Sequence, residues 1–454
     1  MRRFIVWIEP HKEGPGKALE TALPMLDPHT PILVSYCDYG MMFDAHAFEH
    51  MTSSTGCDAA VLGYSGYHPQ YRRAISFARC RIEKGRIREI REKGQITLDP
   101  MNEFTSSGCY YFRDIEILRR ALHVQRQRNL LLKGELYTSL TVEALLQDNP
   151  TACVMPFTID SFDQWGTPED VADFRFAQQS FHAIGEPHGL SDASVDQILM
   201  PMAGLGARFK PEYEVPKPLI PVANQPMFLR ALHSLPKASR TVFVVLASVH
   251  EAIKPVAKKV NATCHILPET PPEQAFSAAS ALEHLNPNQD ILISACDHEV
   301  AVNKRQWDRL RADPHIDGAV FTIQGFPGAR SNPTSYSYAV FSGDDAFLEI
   351  SRVSVKSPTT PHPEREHLAV GTFWFRRAAL FKKGIQEVID HGTRHNGELY
   401  LDNIVEPLVR DGARIVTFPL KGYLCMGTPE ELAAYQYWYK RFQEPSTHIH
   451  AACA

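Results

Sequence analysis

No run of apolar residues in this chain approaches the about 18–20 that a membrane-spanning helix needs. The opening Met1–Glu9 holds an uninterrupted run of five apolar residues before an acid, short of the about 7–15 of a secretory segment. There is no basic excess either: 47 Lys and Arg face 52 Asp and Glu, a net charge of −5. That argues against nucleic acid as a partner, because binding it rests on a surplus of cations that release counterions. No Cys-x-x-Cys pair occurs among the nine cysteines (Cys37, Cys57, Cys80, Cys109, Cys153, Cys264, Cys296, Cys425, Cys453). Their odd number and scatter speak against a disulfide framework or a structural zinc and fit a reducing cytoplasm. What is present is ordinary globular material: 454 residues, 44% hydrophobic and 22% charged. At roughly 100–200 residues per domain, two to four domains are expected.

The chain repeats itself. LLLKGELYTSLTVEALL (130–146) resembles TRHNGELYLDNIVEPL (393–408), SSGCYYF (106–112) resembles AVGTFWF (369–375), and WGTPED (165–170) resembles MGTPEE (426–431). Gly108 and Gly371, Glu135 and Glu398, and Lys93 and Lys356 are each 263 apart, Gly166 and Gly427 are 261 apart, and Asp38 and Asp297 are 259 apart. Near-constant shifts of this kind mark an internal duplication. The second copy spans 197–443, with 444–454 as a tail. The first spans 1–183 and starts at the equivalent of about position 260, so it lacks a front segment matching 197–259. Between them, 184–196 carries Gly185-Glu186-Pro187-His188-Gly189 and reads as a linker.

Short apolar runs at 197–202, 241–247 and 290–295 read as buried strands and 31–36 as a strand, with helical patterns at 16–26 and 273–284. This alternation predicts an α/β fold with mostly parallel sheets and sites at the strands' C-terminal ends. The strand at 197–202 runs into Ala203-Gly204-Leu205-Gly206-Ala207-Arg208-Phe209. Such glycines let backbone N–H groups approach an anion, and Arg208 offers a fork for phosphate oxygens. A tight turn explains Gly-x-Gly alone. Nine residues after Arg208, Lys217 lies between Pro216 and Pro218, and the combination favours a phosphate loop.

Gly204–Phe209 followed by Pro216–Pro221 resembles the signature of the sugar-phosphate nucleotidyltransferases, the GT-A-like pyrophosphorylases that include members from capsule and surface-polysaccharide clusters. The resemblance covers 197–443 and the back three quarters of the same domain in 1–183. It implies two GT-A/Rossmann-like domains, the first without its N-terminal strand-loop-helix segment. The implied reaction transfers NMP from an NTP to a phosphorylated acceptor, with Mg²⁺ as cofactor and pyrophosphate released. In that scheme Ala203, Gly204, Leu205, Gly206 and Gln274 surround the nucleotide. Arg208 and Lys217 neutralise the triphosphate, Asp297 holds the metal, and Lys356 reaches the acceptor phosphate. Gly371 and Glu398 belong to the acceptor side.

From the residues themselves, Asp297 at a strand end is either a ligand for a hard cation or a turn residue. Glu398, before an apolar run, is either a helix cap or an acceptor contact. Lys356 keeps the spacing of Lys93, but Val355 stands where the first copy has Glu92. The resemblance implies a second metal-site Asp two residues before Gly-Thr-Pro, and that position is Cys425 here and Gln164 in the first copy. The resemblance places the base-reading loop at Gly14-Pro15-Gly16-Lys17-Ala18 in the first copy and at Pro271-Pro272-Glu273-Gln274-Ala275 in the second, where Glu273 is tolerable only if it points away or hydrogen-bonds the base. Two rival readings stand: a GT-A glycosyltransferase, for which an Asp-x-Asp is lacking, and a non-catalytic nucleotide-binding tandem protein. NTP and acceptor identity and the oligomeric state, a homo-oligomer included, stay open. The first copy, though it keeps Asp38, Lys93 and Glu135, is expected to bind no triphosphate. Its open sheet edge should pack on the second copy or on another chain, unless the natural protein begins upstream of Met1. Residues 190–454 alone should keep all nucleotide binding.

Overall fold

Ile291–Ser294 is four residues long and buried at every position, because it is hydrogen-bonded on both sides. A strand covered on both edges and faces has no use for polar alternation. A computed structural model describes residues 5–72, 77–185, 194–210, 212–341 and 348–443. The chain divides into two units, Met1–Val171 and Ala172–Glu444.

In the second unit the described residues form a nine-stranded mixed sheet. Its order is Ala262–Leu267, Lys237–Leu246, Ser194–Pro201, Ile291–Ser294, Leu368–Phe375, Gly318–Ile323, Ile415–Pro419. Leu368–Phe375 runs antiparallel to both its neighbours in this order; the other pairings are parallel. Ser337–Phe341 and Ile350–Ser354 form a hairpin beside it. The chain leaves Ser194–Pro201 towards one side of the sheet and later returns on its other side as Ile291–Ser294. This reversal of strand order opens a crevice beyond the strands' carboxyl ends, where ligands of α/β sheets bind. Trp307 and Trp374 fill the core below.

The first unit has a sheet in the order Arg86–Arg91, Arg79–Glu83, Phe104–Phe112, Ala59–Tyr64, Val154–Thr158, with Ile32–Ser35 paired to Phe104–Phe112. Ile32–Ser35 has one hydrogen-bonded neighbour among the described residues, and Leu33 on it is 45% exposed. Among the described residues the reversal point of the second unit therefore has no equivalent here.

The linker at 184–196 lies for the most part, residues 186–193, outside the described residues, as does the tail 444–454. The helix Pro168–Gly185 is divided at 171/172 rather than left whole in 1–183. The reason is its aromatic face. Phe181 is buried in a cluster with Leu424, Leu432 and Tyr435, and Phe174 meets Trp438 and Phe442 edge-on.

Candidate nucleotide site

Gly204–Arg208 follows the carboxyl end of Ser194–Pro201, next to the reversal of strand order. Gly206 adopts φ 61°, and a Cβ there would lie 2.7 Å from Lys217 Cβ. Only glycine allows the loop to rest on the lysine stem, which ties the two halves of the signature together. Ala203 is buried, while Gly204 and Leu205 are exposed and nothing lies within 4 Å of where a Gly204 side chain would be.

Lys217 Nζ lies 2.5 Å from Asp297 Oδ2, donates to Gly427 O at 3.1 Å, and sits 5.4 Å from the Phe209 ring centroid. Burial pulls the lysine's pKa down, but Asp297 more than offsets this and leaves it raised. Burial likewise pushes Asp297 up, yet Lys217 and His298 hold it far below the usual carboxylate range. His298 is buried, its Nε2 2.8 Å from Thr372 Oγ1 and its Nδ1 3.6 Å from Asp297 Oδ1. Asp297 is thus an oriented carboxylate at a strand end, facing a cation.

Gly427 marks a second wall. A Cβ there would be 3.4 Å from Asp297 Oδ2, 3.1 Å from Glu431 Oε2 and 3.5 Å from Cys425 Sγ. Two carboxylates and a thiol therefore border one small space. The oxygens are the donors a hard cation takes. Burial, Glu431 and Asp297 all push the Cys425 thiol well above its ordinary range, which keeps it protonated and unsuited to such an ion. Glu431 was not singled out in the sequence, because Gly-Thr-Pro-Glu-Glu reads first as a helix start. Thr428 does cap Pro429–Phe442 by accepting from Glu431 N at 3.2 Å. The signal was available in the similar stretch 165–170: Asp170 follows Gly166 at the same spacing, and a Cβ on Gly166 would face both Asp38 and Asp170.

Lys356 and Glu398, expected on the acceptor side, lie by Tyr400. Lys356, at φ 53°, places Nζ 4.9 Å from the Tyr400 ring and donates to Ser335 O. Arg208 is exposed and within electrostatic reach of Tyr400, as is Glu398. Glu398 is not a helix cap: it closes a His395–Glu398 bridge, and Tyr400 precedes the helical turn Leu401–Ile404. Asp402 accepts from Ser337 Oγ at 2.9 Å, and its buried Oδ1 has no hydrogen-bond partner among the described residues. Gly371, at φ 77°, faces open space. Gln274 is exposed at the start of Gln274–Ala279, with Oε1 3.4 Å from Leu401 N. Glu273 is held by Arg394 at 2.9 Å and Leu399 N at 2.9 Å, so its charge is already matched by protein groups.

Residues 199–353 match the family model of the MobA-like NTP transferase domain. This part of the chain is an NTP transferase domain. Similar solved structures include a nucleoside-diphosphate-sugar pyrophosphorylase from Vibrio cholerae RC9, at 19% identity and TM-score 0.43 over 53% of this chain and 99% of that one. Another is the inositol-1-phosphate CTP transferase from T. maritima, at 14% identity and TM-score 0.43 over 55% and 96%. A UTP-bound UGPase from Acinetobacter baumannii is similar at 13% identity and TM-score 0.42 over 54% and 93%. No curated protein gives a significant match. None of the described helices is long and apolar enough to cross a membrane.

The first unit holds parts of the same arrangement in a filled state. Lys93, also at positive φ, donates to Tyr137 OH at 2.8 Å and lies 4.6 Å from its ring, as Lys356 does over Tyr400. But a Cβ on Gly108 would meet Tyr36 at 3.0 Å and Tyr39 at 3.3 Å. The space that is open before Gly371 in the NTP transferase domain is occupied by two tyrosines here.

Proposed function

We propose that the NTP transferase domain moves NMP from an NTP onto a phosphorylated acceptor of the sugar-phosphate class and releases pyrophosphate, to make an activated sugar or surface-polysaccharide precursor. The observation that carries this reading is the Lys217–Asp297 pair beneath a glycine loop at the reversal of strand order. An acceptor phosphate oxygen attacks the α-phosphorus; the new P–O bond forms as the bond to the β-phosphate oxygen breaks, and pyrophosphate carries away the electron pair. The acceptor needs no general base, since a phosphate monoester is already anionic near pH 7.

The protein's part is positioning and charge stabilisation. Backbone N–H groups of 203–206 face the phosphates. Lys217 offsets the charge that develops on the α-phosphate and leaving group, with Asp297 fixing where its ammonium sits. Arg208 covers the outer phosphates from solvent. Lys356, braced on Tyr400, orients the acceptor phosphate, with Glu398 and Asp402 accepting from hydroxyls of the acceptor's sugar. Asp297 and Glu431 would hold Mg²⁺, which when bound supplies Lewis-acid neutralisation of phosphate charge. Cys425 beside Asp297 favours a second reading, in which the domain binds nucleotide without turnover. Acceptor-dependent pyrophosphate release separates the two.

Arg208→Ala should lower turnover by about 10²–10³ and leave the melting temperature unchanged, because the side chain is exposed. Steady-state kinetics beside a thermal melt checks both. Glu431→Gln keeps an acceptor for the Tyr336 hydroxyl that Glu431 now receives. It should raise the Mg²⁺ concentration for half-maximal activity by roughly tenfold or more, read from a Mg²⁺ titration. An unchanged titration would return Glu431 to a purely capping role.

A further inference from the structure

His265 lies on Ala262–Leu267, the edge strand of the large sheet, and His284 ends the helical turn Leu282–His284. Nineteen residues apart in sequence, they meet nitrogen to nitrogen: His265 Nδ1 is 3.0 Å from His284 Nε2, with the rings at 65°. Glu283 joins them, its Oε1 3.6 Å from His284 Nε2 and 4.0 Å from His265 Nδ1. Of the described residues, these three alone bring three metal-ligating side chains within 4.8 Å of one another.

We propose that His265, Glu283 and His284 bind a divalent cation of the zinc type, at a site distinct from the carboxylates around Gly427. Without an ion, two facing imidazole nitrogens share a single proton and the carboxylate has no donor between them. With one, both lone pairs and a carboxylate oxygen point at the same atom. Two nitrogens at about 2.0–2.1 Å from a tetrahedral zinc lie about 3.3 Å apart. The observed pair needs to open by only a few tenths of an ångström. Two imidazoles and one carboxylate suit zinc, cobalt or nickel rather than Mg²⁺, which prefers oxygen throughout. The Glu283 side chain is 74% exposed while His265 is 17% exposed, so the fourth position opens to water. The bound ion would clip the sheet's edge strand to the segment entering Ile291–Ser294.

The test uses metal-stripped full-length protein. Co²⁺ should bind at one equivalent with visible d–d bands and no sulfur-to-cobalt charge transfer, and Zn²⁺ should displace it. X-ray absorption on the zinc-loaded protein should count two imidazoles and no sulfur. Loss of a ligand's outer partner already costs about 10–100-fold in affinity. His265→Ala and His284→Ala should therefore each weaken Zn²⁺ binding at least about 100-fold. Glu283→Ala, at an exposed position that cannot threaten folding, should weaken it by roughly tenfold, and Cys425→Ser should leave it alone. Absence of stoichiometric binding, a sulfur signature, or affinity that survives Glu283→Ala and both histidine changes overturns the proposal.

Discussion

Lys217→Ala should reduce turnover by about 10²–10³ and should also lower stability, an effect absent from Arg208→Ala. Removing one partner of a buried ion pair costs about 3–5 kcal/mol because the other charge is left uncompensated. The Lys217 and Asp297 side chains are 18% and 23% exposed, so the lower end of that range applies. Asp297→Asn removes the same pair from the other side and should abolish both activity and its Mg²⁺ dependence. The double variant Lys217→Met with Asp297→Asn should recover part of the stability and none of the activity. Thermal melts and single-turnover rates on the three proteins separate the two effects. Near-normal kcat in Lys217→Ala would remove the phosphate-loop assignment, and an unaltered Mg²⁺ titration in Asp297→Asn would leave Asp297 a turn residue.

The second large effect concerns the two units. Residues 172–454 should fold and bind nucleotide with the affinity of the whole chain, whereas 1–171 should bind none. Among its described residues the first unit has no counterpart of the Gly204–Arg208 loop and no reversal of strand order, and Tyr36 and Tyr39 fill the space before Gly108. Residues 190–454, which omit Phe174, Phe176 and Phe181, should be less stable than 172–454 by at least about 3 kcal/mol, the scale for losing one large buried aromatic. Phe181 is 3% exposed and packs on Tyr435. Calorimetry with NTP and denaturant melts on the three fragments decides this. Micromolar NTP binding by 1–171 would show that the front segment is not needed for a nucleotide site.

The strands at 197–202, 241–247 and 290–295 were legible because each is a short apolar run buried on both faces; they appear as Ser194–Pro201, Lys237–Leu246 and Ile291–Ser294. The glycine loop and Lys217 were legible because they lie close in sequence. Other features were not. The periodicity of 168–185 shows that one face is apolar, but not which domain that face joins. Tyr400 was hidden inside Gly-Glu-Leu-Tyr, although Tyr137 stands at the same place in the similar stretch 130–146. Glu431 was masked by the capping chemistry of its motif. The meeting of His265 with His284 depends on how the edge strand is laid against the sheet, which spacing alone does not encode.

Acceptor-dependent release of pyrophosphate by the full-length chain, across the four NTPs and a panel of phosphorylated acceptors with Mg²⁺, tests the central claim most directly. One NTP with one acceptor class should release one pyrophosphate per NMP transferred, and Lys217→Ala should remove the signal while the stoichiometry of any residual product is kept. Tight nucleotide binding with no pyrophosphate from any pair, or release of a nucleoside diphosphate from a nucleotide-sugar instead, would contradict it.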